Sequence, residues 1–271
     1  MFSLHGQVAL VTGGTRGIGL AAGLALAAQG AQIVLTHRWG SVPQAELNAL
    51  FEQAGLPQPV LIEADVTSPE DTKSLLNQIH QQFGHLDIFI SNVCIAARGT
   101  GFDALRLRDL QKSLDYSVWP TQHYLQEITA LFGKPPRATV CMSSDGPDHF
   151  YPGYDYVAAS KAALEALLAA MAPDLCKAGG RIFGLRTRQV DTASLEQIFS
   201  AGIHQLLTQR FAWFRVSSQD VGHATVALCS GLMDGLNGQV LCADKGSSFF
   251  DNFIATLPLL QDLTNLKELQ A

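Results

Sequence analysis

Apolar runs of four or five residues, rich in β-branched side chains, recur at Val8–Val11, Ile33–Thr36, Val60–Glu63, Ile88–Ser91, Thr139–Met142, Arg181–Leu185 and Gln239–Cys242. Between them lie longer segments whose apolar residues return every three or four positions, the period of a helix with one buried face. Short continuous apolar runs imply strands covered on both faces, and strands that alternate with helices are joined by right-handed crossovers. The pattern therefore predicts an α/β chain with a doubly wound, seven-stranded parallel sheet flanked by helices, as a single domain over residues 1–271. In such a sheet ligands sit outside the carboxyl ends of the strands, so chemistry is sought just after each apolar run.

The first run ends in Thr12-Gly13-Gly14-Thr15-Arg16-Gly17-Ile18-Gly19, and an alanine- and leucine-rich helix follows at once. Glycines here let the backbone turn tightly and approach a pyrophosphate, whose charge is met by N–H groups at the helix N-terminus. The strand before and the helix after make this a Rossmann-like dinucleotide site rather than a plain glycine-rich turn. Sites selective for an unphosphorylated ribose carry an acid about 20 residues after the glycines. Residues 36–41 hold none; Arg38 stands there instead, and Arg16 lies inside the turn. Two guanidinium forks and no carboxylate suit a 2′-phosphate, so the expected cofactor is NADP(H), with two solvated surface arginines as the plainer alternative.

The spacing Thr-Gly-x-x-x-Gly-x-Gly resembles that of the short-chain dehydrogenase/reductase family, and the resemblance runs from about Gly6 to Gly246. Asp65 after the third strand, Asn92 after the fourth and the segment Asn237-Gly238-Gln239-Val240 to Asp244 are further matches. The resemblance implies a cofactor held by Gly13, Thr15, Arg16, Gly17, Ile18, Gly19, Arg38, Asp65, Val66, Asn92, Lys161 and Val190, with Asp65 against the adenine. The family's chemistry uses a Ser after the fifth strand, Tyr-x-x-x-Lys on the next helix and an Asn on the preceding one. Ser144 and Lys161 take the Ser and Lys places, but the tyrosine place holds Val157, the Asn place Ser117, and the usual Pro-Gly after the sixth strand reads Thr187-Arg188.

Tyr154 lies seven residues before Lys161. At 100° per residue that is about two turns, back to almost the same helical face, whereas Tyr156 points about 140° away. Tyr-x6-Lys is the spacing of enoyl-thioester reductases in this superfamily, especially the NADPH-using kind. In conjugate reduction, negative charge develops on an oxygen two carbons beyond the carbon that receives hydride. One helical turn moves a tyrosine by ~5 Å, the order needed to follow that oxygen. The resemblance then implies that Lys161 holds the ribose hydroxyls and favours phenolate character on Tyr154, that Tyr154 stabilises or protonates the enolate, and that Ser144 adds a hydrogen bond. Two other readings stay open. One is a catalytically silent homologue, a dinucleotide sensor or protein-binding scaffold, supported by Val157, Ser117, Cys94 and Thr187-Arg188. The other is a ketoreductase with a non-standard proton donor.

Composition acts mainly by exclusion. A net charge of −6 without a Lys/Arg cluster argues against nucleic acid, and 47% hydrophobic with 15% charged residues argues for a folded chain. The five cysteines, Cys94, Cys141, Cys176, Cys229 and Cys242, show no CxxC spacing and read as reduced core residues of a cytoplasmic protein. The uncharged run Gly17–Thr36 is broken at Gln29-Gly30, so it reads as a helix and a strand rather than a membrane span. No ligand spacing for a metal appears among the histidines and cysteines. Residues 188–216, with Phe199, Phe211, Trp213 and Phe214, fall where the family has its substrate lid, and the aromatics line an apolar pocket or are plain core. The apolar tail 247–271 needs cover from its own domain or a second subunit, so a homo-oligomer, dimer or tetramer, is expected. The implied partner is a small-molecule or carrier-bound acyl substrate.

Overall fold

The computed structural model describes residues 2–38, 42–95, 99, 101–188, 190 and 215–249. Their seven strands form one sheet in the order β3-β2-β1-β4-β5-β6-β7: β1 Val8–Val11, β2 Gln32–His37, β3 Val60–Glu63, β4 Ile88–Ser91, β5 Ala138–Ser144, β6 Ile182–Thr187 and β7 Val240–Ala243. Every pairing is parallel. Between the strands run α1 Gly17–Ala27, α2 Gln44–Gln53, α3 Pro69–Phe83, α4 Leu107–Ser117, α5 Trp119–Phe132, α6 Asp155–Lys177 and α7 Ser218–Cys229.

The period of two along each strand divides the core into two layers. In β1, Ala9 and Val11 face a cluster that includes Leu26 of α1 and Val221 and Leu228 of α7. Val8 and Leu10 face the opposite cluster, with Leu75 and Ile79 of α3, Ile128 of α5 and Leu164 and Leu168 of α6. All four β1 residues are buried, as expected of a central parallel strand.

Several helix limits have plain local causes. Ser68 caps α3 by accepting from the Asp71 amide at 3.1 Å, Pro69 fills its first turn, and Gly84 closes it in the left-handed conformation. Ser217 and Asp220 form a reciprocal capping box on α7. The α4–α5 break falls at Val118, two residues before Pro120, whose ring nitrogen cannot continue the amide ladder.

Strands β5 and β6 run two residues further at their carboxyl ends than the apolar pattern predicts, because the pairs Ser143↔Arg186 and Ser144↔Thr187 extend the ladder into polar sequence. The run Gly17–Thr36 is indeed α1 followed by β2, and no helix among the described residues is long and apolar enough to cross a membrane. The cysteine expectation needs correction. Cys141 and Cys229 are buried, but Cys94, Cys176 and Cys242 are exposed, since they lie in the loop after β4, near the end of α6 and on the edge strand β7. The aromatics at 199, 211, 213 and 214 and the tail from residue 250 lie outside the described residues.

Candidate active site

The glycine turn is held in place by the strands beside it. Thr12 donates from its hydroxyl to the Ile90 carbonyl at 3.2 Å, and the Asn92 amide group donates to the carbonyls of Thr12 and Gly13 at 3.0 and 3.2 Å. Gly13 has φ +62°, which favours glycine. At Gly19 a Cβ would stand 2.6 Å from Asn92 Nδ2 and 2.7 Å from the Gly13 carbonyl oxygen, so the turn and helix close only around a bare backbone. The first turn of α1 has no acidic residue and no side-chain cap. Its amides and positive dipole end therefore meet no anion from the first turn, which fits a dinucleotide pyrophosphate. Thr15 and Val66 are buried, Ile18 packs partly on the core beside α1, and Val190 belongs to that same core cluster.

Arg16 is exposed at the N-cap of α1. Arg38, just after β2, turns toward the third strand: Nη1 pairs with Asp65 Oδ2 at 2.7 Å and meets the Tyr116 hydroxyl, and the guanidinium lies 5.6 Å from the Tyr116 ring centre. Asp65 is further fixed by the Thr67 amide and hydroxyl, at 3.0 and 2.8 Å. The structure thus joins two of the expected cofactor residues, Arg38 and Asp65, to each other.

At the carboxyl end of β5, Ser144 is the last residue of the strand. Tyr154 does not sit on a full turn of α6 but is its N-cap residue, reached through Gly153 at φ +78°. Its ring folds back over Gly146, where a Cβ would stand 2.7 Å from Tyr154 Cε1, and its hydroxyl end lies near Ser144. Burial pushes the phenol up to about 12; the Ser144 hydrogen bond opposes this, while Cys94 and Asp145 reinforce it. Tyr156 points elsewhere, its hydroxyl accepting from the Arg106 amide at 2.6 Å, and Val157 is plain core at 3% exposure.

Lys161 is buried and donates to the Met142 carbonyl at 2.7 Å. It is not among the groups that shift Tyr154, so burial, rather than a neighbouring cation, sets that phenol. Ser117, in the place of the family's Asn, accepts from the Ile95 amide and lies 3.4 Å from Cys94 Sγ. Ser117 and Cys94 are therefore in direct contact, and Cys94 is near enough to Tyr154 to help raise its phenol.

The family described as enoyl-(acyl carrier protein) reductase matches the chain over residues 13–248. The chain belongs to this family of short-chain dehydrogenase/reductases. It is 28% identical to the NADH-dependent enoyl-[acyl-carrier-protein] reductase FabI of Aquifex aeolicus, over 90% of this chain and 92% of that one. It is 29% identical to 1-cyclohexenylcarbonyl-CoA reductase of Streptomyces collinus, over 89% of this chain and 87% of the relative. The crystal structure of a short-chain dehydrogenase from Burkholderia cenocepacia in complex with NADP superposes with a TM-score of 0.78, at 27% identity, over 90% of this chain and 99% of that one. A short-chain dehydrogenase/reductase is an oxidoreductase that binds a nicotinamide dinucleotide, and the cradle at Gly13–Gly19 has the shape for one.

One feature of this family member escaped the sequence. Asp145 and Arg188, at the ends of β5 and β6, form an ion pair at 3.1 Å with side chains 9% and 8% exposed, and the Tyr151 hydroxyl donates to the same carboxylate. The sequence marks Arg188 only as the loss of a Pro-Gly. The signal lay in strand register, which sets Asp145 beside Arg188 one step past Ser144↔Thr187. An open depression of about 330 Å³, lined by Phe2, Ala25, Val226 and Leu232 among others, lies at the far end of α1 from the glycine turn and is not part of this site.

Proposed function

We propose that this chain is an NADPH-dependent reductase that delivers hydride to an activated alkene or carbonyl, with an enoyl thioester as its preferred acceptor. The observation that carries this reading is the partly buried Tyr154 phenol lying near Ser144 at the end of β5, seven residues ahead of Lys161. The bound cofactor supplies the hydride. Ser144 and Tyr154 together offer hydroxyls to the oxygen on which negative charge develops, and the phenol is the proton donor within reach. Lys161, anchored on the Met142 carbonyl between β5 and α6, is placed to orient the ribose. The test is NADPH oxidation with crotonyl thioesters and with a panel of ketones. Turnover on ketones alone would replace the enoyl reading with that of a ketoreductase.

A phenol pushed up to about 12 stays protonated through neutral and mildly alkaline solution. The pH profile of kcat/KM should show no loss of an acid from Tyr154 at the ordinary phenol value of about 10, the loss being deferred toward about 12. The linked stability has the same sign: the folded form keeps a proton that the unfolded form releases, so stability falls as pH rises from about 10 toward 12. An acid limb near neutrality that vanishes in Tyr154→Phe would contradict this account.

Preference for the phosphorylated cofactor is assigned to Arg38 and Arg16. Arg38 exchanges its single Asp65 contact for the 2′-phosphate, whose oxygens accept from the guanidinium. Arg38→Ala should weaken NADPH binding by about tenfold to a hundredfold, the worth of a charge-assisted hydrogen bond, and leave NADH binding nearly unchanged. Fluorescence titration with both cofactors checks it; equal losses for the two would remove Arg38 from selectivity.

A second reading, a silent dinucleotide-binding homologue, is favoured by Arg188, paired with Asp145, in the place of the family's glycine and by Val157 in the tyrosine place. NADPH binding without turnover on any acceptor would decide for it. A homo-oligomer is proposed through α4 and α5, where Leu107 and Trp119 are 71% and 49% exposed.

A further inference from the structure

Arg188 is the first residue after β6, and strand register sets it beside Asp145 at the carboxyl ends of two neighbouring strands. Both side chains are more than nine-tenths buried, and Arg188 Nε pairs with Asp145 Oδ2 at 3.1 Å. Tyr151 donates to the same carboxylate and lies against the same guanidinium. His149 Nδ1 approaches Asp145 at 3.7 Å from a half-exposed position. The Tyr151 ring also meets that of Tyr154 edge to face, with centres 5.8 Å apart. The cluster is therefore continuous with the Ser144–Tyr154 pair. One of its atoms is left over: Arg188 Nη1 is buried and has no hydrogen-bond acceptor among the described residues.

Buried polar groups are seldom left unpaired, and a charged donor is more costly to strand than a neutral one. Such a donor beside a reaction centre marks the place of an acceptor that arrives with a ligand. Charge balance narrows what that acceptor is. Asp145 already offsets Arg188, so a second anion would be buried next to a carboxylate with no cation of its own. An uncharged oxygen meets no such penalty. We infer that Arg188 Nη1 is a specificity-determining donor for an uncharged carbonyl oxygen presented at the ends of β5 and β6, with Asp145 and Tyr151 as its braces. Arginine side chains only donate, so this role is positioning and not proton transfer. The inference rests on the reductase reading, under which two incoming groups carry such an oxygen: the carboxamide of the nicotinamide and the carbonyl of the acyl thioester.

Calorimetry separates the two sources. Wild type and Arg188→Gln are titrated with NADP+, with adenosine 2′,5′-bisphosphate, which lacks the carboxamide, and with crotonyl-CoA in the presence of NADP+. Arg188→Gln leaves Asp145 buried without its cation, so the double variant Asp145→Asn/Arg188→Gln, which removes both charges, is run beside it. A loss of about tenfold for NADP+ with the bisphosphate unchanged identifies the carboxamide. Unchanged NADP+ affinity with about tenfold weaker crotonyl-CoA identifies the acyl carbonyl. The inference is overturned if both variants bind all three ligands as wild type does. It is equally overturned if NADP+ binds more tightly once the guanidinium is gone, because the arginine would then be occupying the ligand's place. These are binding measurements, so a chain that reduces no acceptor would defeat the reductase reading while leaving a carboxamide contact at Arg188 detectable.

Discussion

Replacing Tyr154 with phenylalanine is expected to lower kcat for enoyl-thioester reduction by about a hundredfold or more, the usual worth of a positioned acid. The dinucleotide should bind as before. The change deletes one oxygen and leaves the ring that packs over Gly146 and meets Tyr151, so the N-cap region of α6 keeps its shape. What is lost is the hydroxyl beside Ser144, and Ser144 alone supplies only one of the two donors to the developing oxyanion. Tyr156→Phe is the matched control, because that phenol accepts from the Arg106 amide and faces α4. It should cost some stability and little turnover. Single-turnover measurements separate the chemical step from product release. Tyr154→Phe with wild-type kcat would take the acid out of the mechanism.

The two kinds of signal in the chain differ in how local they are. The sheet was legible because each strand announces itself by a continuous apolar run, and the crossover rule then leaves few topologies. The glycine turn was legible for the same reason, since Thr12–Gly19 is one uninterrupted segment between a strand and a helix. Tyr154 could be picked over Tyr156 from helical period alone, although the structure places it at the N-cap rather than on the helix face. Arg38 was found as a cation in an acid's place, but its present contact, Asp65, comes from a different strand and no spacing shows it. The Asp145–Arg188 pair was hidden for the same reason. Its members are more than forty residues apart in sequence and meet only through the β5–β6 register. That the Lys161 ammonium is tied to the Met142 carbonyl was also hidden, because sequence gives only the lysine's place on α6.

Gly19→Ala should weaken dinucleotide binding by about a hundredfold, corresponding to two lost charge-assisted amide contacts, and Gly14→Ala should not. The two glycines sit in the same turn, and an added methyl is crowded at both, yet what it meets differs. At Gly14 the nearest atom is the tip of the Leu35 side chain at 2.7 Å, which can rotate aside; the Val11 carbonyl follows at 3.1 Å. The cost there falls on core packing, about 1–3 kcal/mol of stability. At Gly19 the methyl meets the Gly13 carbonyl at 2.7 Å and the Asn92 amide at 2.6 Å, the groups that hold the turn against β4. The carbonyl cannot withdraw without moving the backbone of the turn, and with it the α1 amides aimed at the pyrophosphate, and the Asn92 amide can turn aside only by giving up its bonds to the turn. Thermal unfolding with and without NADPH reads both effects at once: Gly14→Ala should melt lower but keep the upward shift on adding cofactor, whereas Gly19→Ala should lose that shift. A Gly19→Ala chain that retains the full cofactor-induced shift would show that the amides at the start of α1 are not where the dinucleotide binds.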